Sequence, residues 1–163
     1  TPPVRLVEKG VGEAFIGFCY GWLPVAAAFY IQTAHLHPII NWLSVAIGLS
    51  IFNVILINEF HDFEADRMVG KRNLLVRVGR RWGKTIYIGF SLISWLAMFL
   101  SIRAGVPAAV LELYLPVMFI SLLVIGLLAV GREKNRQILE VICGLTIVIN
   151  LGTTASYIWA YRT

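Results

Sequence analysis

Charge is what this sequence has least of. Only 14 lysines and arginines and 9 aspartates and glutamates occur in 163 residues, so charged side chains make up 14% of the chain; a soluble domain carries about a quarter. That is too little to coat a water-facing surface. The apolar surplus, 58% of residues with a mean hydropathy of +0.77, has to face something other than water. A soluble enzyme, a disordered tail and a nucleic-acid-binding module all fit poorly. The formal net charge of +5 does not restore a nucleic-acid partner, because the basic residues sit in the gaps between apolar runs. Cysteine is scarce too. Cys19 and Cys143 both lie inside apolar runs, which argues against a structural disulfide or a sulfur-ligated metal and for buried free thiols packing as small hydrophobes. The opening Thr-Pro-Pro-Val-Arg-Leu has neither a methionine nor the basic start of a cleavable signal peptide, so the numbering is expected to begin inside a longer or processed polypeptide. Repeats, low-complexity stretches and linkers are absent, and residues 1–163 are expected to form a single transmembrane domain.

Long apolar runs are what the chain has in abundance. Five spans are expected, with cores at Ala14–Thr33, Ile39–Ile57, Thr85–Ile102, Leu113–Val130 and Val141–Tyr161. At about 1.5 Å rise per residue each crosses a hydrocarbon layer of about 30 Å, the shorter ones nearly upright. Helices buried in a soluble bundle would keep a polar stripe, and these do not. The expected fold class is therefore all-α, a polytopic membrane bundle of five helices. With the N-terminus inside, the inner segments collect Arg5 and Lys9; Arg67, Lys71, Arg72, Arg77, Arg80, Arg81 and Lys84; and Arg132, Lys134 and Arg136. Those are twelve of the fourteen basic residues, leaving Arg103 and Arg162 outside. The bias predicts an N-in, C-out chain.

A few residues within the spans stand out. Gly17 and Gly21 form a Gly-xxx-Gly step that admits a neighbouring helix. Pro24 and Pro116 are expected to kink their helices. Asn53 and Asn150 are amides at membrane depth, for which interhelical hydrogen bonds are preferred to substrate contacts. Glu13, in Gly10-Val-Gly12-Glu13, is an acid at the inner edge, open to snorkelling or to function.

The chemistry concentrates at the inner end of the second span, Asn58-Glu59-Phe60-His61-Asp62-Phe63-Glu64-Ala65-Asp66-Arg67-Met68-Val69-Gly70-Lys71-Arg72. At about 100° per residue, Asn58, Asp62 and Asp66 fall at roughly 0°, 40° and 80° around a helix, with Glu59 bordering that stripe. Glu64 points away, as a solvated or salt-bridging residue, and His61 lies off the stripe as a neutral interfacial histidine. Converging oxygens of this kind suit Mg²⁺, which takes one or two carboxylates and completes its shell with water and substrate phosphates. A basic run follows at once. Positive-inside topology alone accounts for Arg80, Arg81 and Lys84. Lys71 and Arg72 come directly after Gly70, where the backbone has freedom to fold back and bring cations over the acids to grip a polyphosphate. Acids for a metal, bases for phosphate oxygens and lipid-like walls together point to a polyprenyl diphosphate. From spacing alone, a helix-end acid pair that merely binds counter-charges looks the same.

The pattern Asn58-xxx-Asp62-xxx-Asp66-xxx-Gly70-Lys71-Arg72-x-Leu74-x-Val76-Arg77-x-Gly79 resembles the second aspartate-rich motif of the UbiA-type intramembrane prenyltransferases, and is most similar to the branch that prenylates 1,4-dihydroxy-2-naphthoate in menaquinone synthesis. Gly10-Val-Gly12-Glu13 and Tyr30-Ile31-Gln32-Thr33 resemble segments of that branch as well. The resemblance implies a nine-helix fold of which the five spans are the last five, in a bacterial or archaeal cytoplasmic membrane. It implies that Asp62 and Asp66 bind Mg²⁺ bridging the diphosphate. Lys71, Arg72 and Arg67 would meet phosphate oxygens, and Asn58 would support the acids and the diphosphate. The implied reaction is alkylation of an aromatic acceptor by the allylic group. Any of Tyr20, Trp22, Phe52 or Tyr157 would serve to shield an allylic cation, with packing or an interfacial belt as the default for each. Asn73 and Leu75 depart from the family pattern at positions read as outside the ligand set.

The family's first motif, Asn-Asp-xx-Asp-xxx-Asp, is not in these residues. This chain is therefore expected to supply one half-site, with the N-terminal half of the fold coming from the same gene or another subunit, and to be incomplete for catalysis alone. The rival reading is a non-catalytic quinone-, lipid- or pigment-binding subunit of a larger membrane complex. A CDP-alcohol phosphotransferase would need an Asp-Gly-xx-Ala-Arg segment that residues 53–61 lack, and a transporter would show more charge at mid-membrane.

Overall fold

The computed structural model describes residues 10–162. Arg5 and Lys9, placed on the inner side by the charge count, lie outside the described residues. Among these, five helices are long and apolar enough to cross a membrane: α1 (Gly12–Thr33), α2 (Ile39–Met68), α3 (Leu74–Arg103), α4 (Val110–Ala129) and α5 (Arg136–Ala160). No strand occurs among the described residues. The expected five-span bundle is what the chain forms, and two helices overrun their apolar cores. α2 continues eleven residues past Ile57 and carries the acidic stripe with it. α3 starts at Leu74 rather than near Thr85, because residues 74–78 form a separate turn before Gly79 (φ 78°, ψ 159°) breaks the helix.

The helices pack through small residues, as association within a membrane demands. α1 approaches α2 most closely at the expected Gly-xxx-Gly step. A Cβ at Gly48 would stand 3.0 Å from the Gly17 carbonyl oxygen, and one at Gly21 would collide with the Gly48 backbone. Just beyond, Pro24 has no N–H to offer Tyr20, and the ladder re-spaces into a π-turn over Phe18–Trp22 in which the Leu23 N–H reaches the Phe18 carbonyl. Pro116 instead sits within an unbroken α4.

Polar groups buried in the bundle are mostly paired between helices. Asn53 Nδ2 donates to Ser91 Oγ (3.0 Å) and the Tyr87 carbonyl (3.2 Å), and Asn150 Nδ2 to Ser50 Oγ (2.8 Å). Both amides thus do what their depth in the sequence implied. Tyr87 Oη and Thr146 Oγ1 are 2.8 Å apart across α3 and α5. Of the candidate cation shields, Phe52 is buried edge-on against Phe90, and Tyr157 donates to Ser101 Oγ at 3.3 Å. Trp22 donates to Asn41, and Tyr20 is exposed. Cys19 and Cys143 are free and half-buried, more exposed than expected.

Cross-links place the loops. Lys84 Nζ meets Glu133 Oε1 at 3.0 Å, with Glu133 buried, and Leu74 N–H donates to Glu13. The start of α1, the α2–α3 turn and the α4–α5 turn therefore share one end of the bundle, where the described basic residues other than Arg103 and Arg162 collect. Trp159 Nε1–H donating to Glu112 (3.0 Å) belongs to the opposite end.

The glycine contacts yield a paired test. Gly48→Ala should lower thermal stability in detergent through overpacking worth about 1–3 kcal/mol. Gly144→Ala, on a helix face with nothing within 4 Å of the new Cβ, should leave stability unchanged or raise it by up to about 1 kcal/mol. Equal melting temperatures for the two variants would contradict the close approach of α1 to α2.

Candidate active site

The end of α2 is shaped by one glycine. Gly70 adopts φ 71°, which few other residues tolerate. The Gly70 N–H bonds the Arg67 carbonyl (3.2 Å) and the Lys71 N–H bonds the Asp66 carbonyl (2.9 Å), the paired closure that terminates a helix on a left-handed residue. This turn throws Lys71 back along the helix, as the sequence led one to expect. Lys71 Nζ lies 3.1 and 2.9 Å from the two Asp66 carboxylate oxygens. Asn73 completes the latch. Its Nδ2 donates to Asp66 Oδ2 (2.8 Å), and its Oδ1 accepts the Val76 N–H (2.9 Å) as the N-cap of the next turn. Asp66 and Asn73 are both buried. Asn73, read from the sequence as outside the ligand set, thus holds Asp66 in place and lines the cavity beside it. An amide three residues before a helical N–H was the available signal.

Two further acids join from different elements. Glu13, at the start of α1, accepts the Leu74 N–H through Oε1 (3.2 Å), and Glu59 accepts the Leu75 N–H through Oε2 (3.0 Å). The carboxyls of Glu13 and Glu59 also meet each other. Glu13 is only 2% exposed, so it is not a snorkelling side chain. Glu59 could have been read as a full member of the stripe, since positions 59, 62 and 66 recur at helical spacing.

These groups border a cavity of about 290 Å³. Its polar wall is Glu13, Asn58, Glu59, Asp62, Asp66, Lys71 and Asn73, and its apolar wall is Gly12, Ile16 and Ile55. The stripe Asn58, Asp62 and Asp66 therefore faces one space, together with Lys71. Asp62 is exposed and has no hydrogen-bond or ionic partner among the described residues. Arg67 and Arg72 are exposed and do not line the cavity. Arg80 stacks over Phe63 (4.9 Å to the ring centre) and lies 3.9 Å from Glu64, and Lys84 pairs with Glu133. Both make structural contacts, consistent with setting them apart from the site. His61 is exposed at the helix surface.

The donor set is hard oxygen throughout, with Asp62 open to a ligand and Asp66 already neutralised by Lys71. No three His, Cys, Asp or Glu side chains among the described residues converge as a ready metal group. A hard divalent cation fits Asp62 and Asp66 only if substrate oxygens, water or groups from elsewhere complete its shell.

The chain is thus a multi-pass membrane bundle that gathers acids and a folded-back lysine at one end, beside a cavity walled in part by apolar residues. Comparison with known proteins makes the class specific. The profile of the UbiA prenyltransferase family matches residues 3–140, and the chain belongs to that family. Over 85 residues it is 33% identical to a 2-carboxy-1,4-naphthoquinone phytyltransferase of Synechocystis, covering 52% of this chain and 28% of that protein. Over 84 residues it is 35% identical to the 1,4-dihydroxy-2-naphthoate octaprenyltransferase of Escherichia coli, covering 49% of this chain and 27% of that one. A UbiA prenyltransferase domain-containing protein 1 of Dictyostelium discoideum is 30% identical over 97 residues, 60% of this chain and 29% of the relative. The chain thus aligns to less than a third of each curated relative. No solved structure matches it.

The latch predicts a local phenotype. Asn73→Ala removes both a helix cap and a ligand of Asp66, and should cost about 1–2 kcal/mol of stability. Trypsin cleavage after Lys71 and Arg72 in the detergent-solubilised protein should accelerate several-fold; an unchanged cleavage rate would show that Asn73 does not hold the turn.

Proposed function

We propose that the chain supplies one half-site of a Mg²⁺-dependent prenyltransferase. It would move a polyprenyl group from its diphosphate to an aromatic acceptor in quinone synthesis of the menaquinone type. The observation that carries this reading is the position of Asp62 and Asp66: on one face of α2, bordering a cavity rather than lipid, with Lys71 folded back onto Asp66, in a chain of the UbiA family. The names of the naphthoate and naphthoquinone relatives support the acceptor class. The non-catalytic alternative has no need of an unpaired Asp62 facing such a cavity.

Asp62 and Asp66 are the residues that would hold Mg²⁺, which when bound supplies Lewis-acid stabilisation of the departing pyrophosphate. The protein's own groups do the rest. Asn58, which lines the cavity beside the acids, would offer its amide to the diphosphate. Lys71, half-exposed although paired with Asp66, has reach to a phosphate oxygen and contributes a fixed positive charge where negative charge develops. Arg67 and Arg72 stand outside the cavity as further cations for the diphosphate. Apolar walls at Ile16 and Ile55 keep water from the allylic carbon. The other half of the metal cage comes from the N-terminal half of the fold, in the same polypeptide or a partner. In this reading the basic end faces the cytoplasm, giving an N-in, C-out protein in a bacterial or archaeal cytoplasmic membrane, with the prenyl tail in lipid-facing grooves.

The test is prenyl transfer by the purified full-length gene product. Asp62→Ala and Asp66→Ala should each lower kcat/KM at least about 100-fold, and EDTA should abolish transfer until Mg²⁺ is restored. Lys71→Ala should raise KM for the diphosphate more than it lowers kcat. Normal rates in both aspartate variants would remove the motif from the mechanism. Turnover by residues 1–163 alone would refute the half-site.

A further inference from the structure

Deep in the bundle, away from the acids, a second cavity lies between α2, α3, α4 and α5. It leaves about 10 Å³ for the centre of a water molecule, the least that admits one. Hydroxyl and amide side chains make up most of its lining, and no charged side chain among the described residues borders it. Asn53 from α2, Tyr87 and Ser91 from α3, Ser121 from α4 and Thr146 from α5 all contribute, each at least nine-tenths buried.

Most of the protons here are already committed. Ser91 Oγ donates to the Tyr87 carbonyl at 2.9 Å. Thr146 Oγ1 donates to the Ile142 carbonyl at 2.8 Å, so the phenol is the donor in the 2.8 Å contact between Tyr87 and Thr146. Asn53 turns its NH₂ to Ser91 and to the Tyr87 carbonyl, which can only accept. Its other atom, Oδ1, is buried and has no hydrogen-bond partner among the described residues. The Tyr87 phenol oxygen keeps a lone pair free. Ser121 is 2% exposed and makes no hydrogen bond among the described residues, so its hydroxyl is uncommitted.

These groups specify an occupant that is small, uncharged, and able both to give and to take a hydrogen bond. An ion would enter without a counter-charge. An apolar atom would leave the Asn53 oxygen unpaired, which native interiors rarely permit. We infer that the cavity is a binding site for one structural water, which donates to Asn53 Oδ1 and accepts from Ser121 Oγ, with the Tyr87 phenol oxygen as a third partner in the same lining. The water joins α4 to α2. Between Leu115 and Ala129, Ser121 is the one polar side chain of α4. A bridge there anchors that helix where hydrocarbon supplies no apolar drive for helices to associate.

Two measurements on the purified full-length gene product test this. A wild-type structure at a resolution that reveals ordered water should show one within hydrogen-bonding distance of both Asn53 Oδ1 and Ser121 Oγ. Ser121→Ala gives a readout whose sign depends on the occupant. In a dry cavity, losing an unpaired hydroxyl and gaining a better helix former raises the melting temperature. With water bound, the variant takes away one of its partners, and the melting temperature should fall by at least about 2 °C. Alanine is the smaller side chain, so overpacking cannot produce that fall. A dry cavity in the wild type overturns the inference, as does a melting temperature that is unchanged or raised in Ser121→Ala. Neither measurement involves prenyl transfer, so this site and the proposed function fail separately.

Discussion

A single carboxylate, that of Asp66, holds the working end of this protein together. It closes the last turn of α2 through its backbone, binds the ammonium of Lys71, and receives the amide of Asn73, which in turn caps the start of the next helix. A buried acid with these partners is well solvated by protein, and charge-assisted bonds of this kind are the strong ones. The turn between α2 and α3 is thereby clamped against the helix it leaves, and Asn58, Glu59 and Asp62 keep a common outlook on the cavity. Asp62, the one acid of the stripe without a partner among the described residues, is left for a ligand.

The rest of the bundle serves that clamp by being close-packed and internally satisfied. In hydrocarbon the apolar effect does not drive helices together, so contact depends on small residues, shape and a few polar bridges. The Gly17–Gly21–Gly48 contact brings the start of α1 near enough for Glu13 to reach Leu74, an approach that a larger residue at any of those positions would prevent. Asn53, Asn150 and the Tyr87–Thr146 pair tie α2, α3 and α5 at depth. Lys84 and Glu133 tie the far turn to the same end.

Membership of the UbiA family and alignment to less than a third of each curated relative belong together. The described site is formed as a local structure because most of its contacts are short in sequence, within residues 58–76, with Glu13 joining from the start of α1.

How much of this was legible in advance follows from the range of the interactions. Five spans, their boundaries on the apolar side and the clustering of basic residues at one end follow from composition and period, because a membrane admits few alternatives for an apolar run of 18 residues or more. The stripe of Asn58, Asp62 and Asp66 was visible because helical geometry alone sets it, and the return of Lys71 because Gly70 permits the left-handed turn. The supporting role of Asn73 was not legible, since it lies in what the residue touches, a side chain seven residues back, and not in its own spacing. Glu13 was left open for a stronger reason: its partner is 61 residues away, and only the close packing of α1 on α2 and the break at Gly79 bring the two together. Local periodicity determined the helices and the acidic face. Tertiary packing decided which acids are paired, which stand open, and that they enclose a common space, because those outcomes depend on distances between elements that no repeat in the chain encodes.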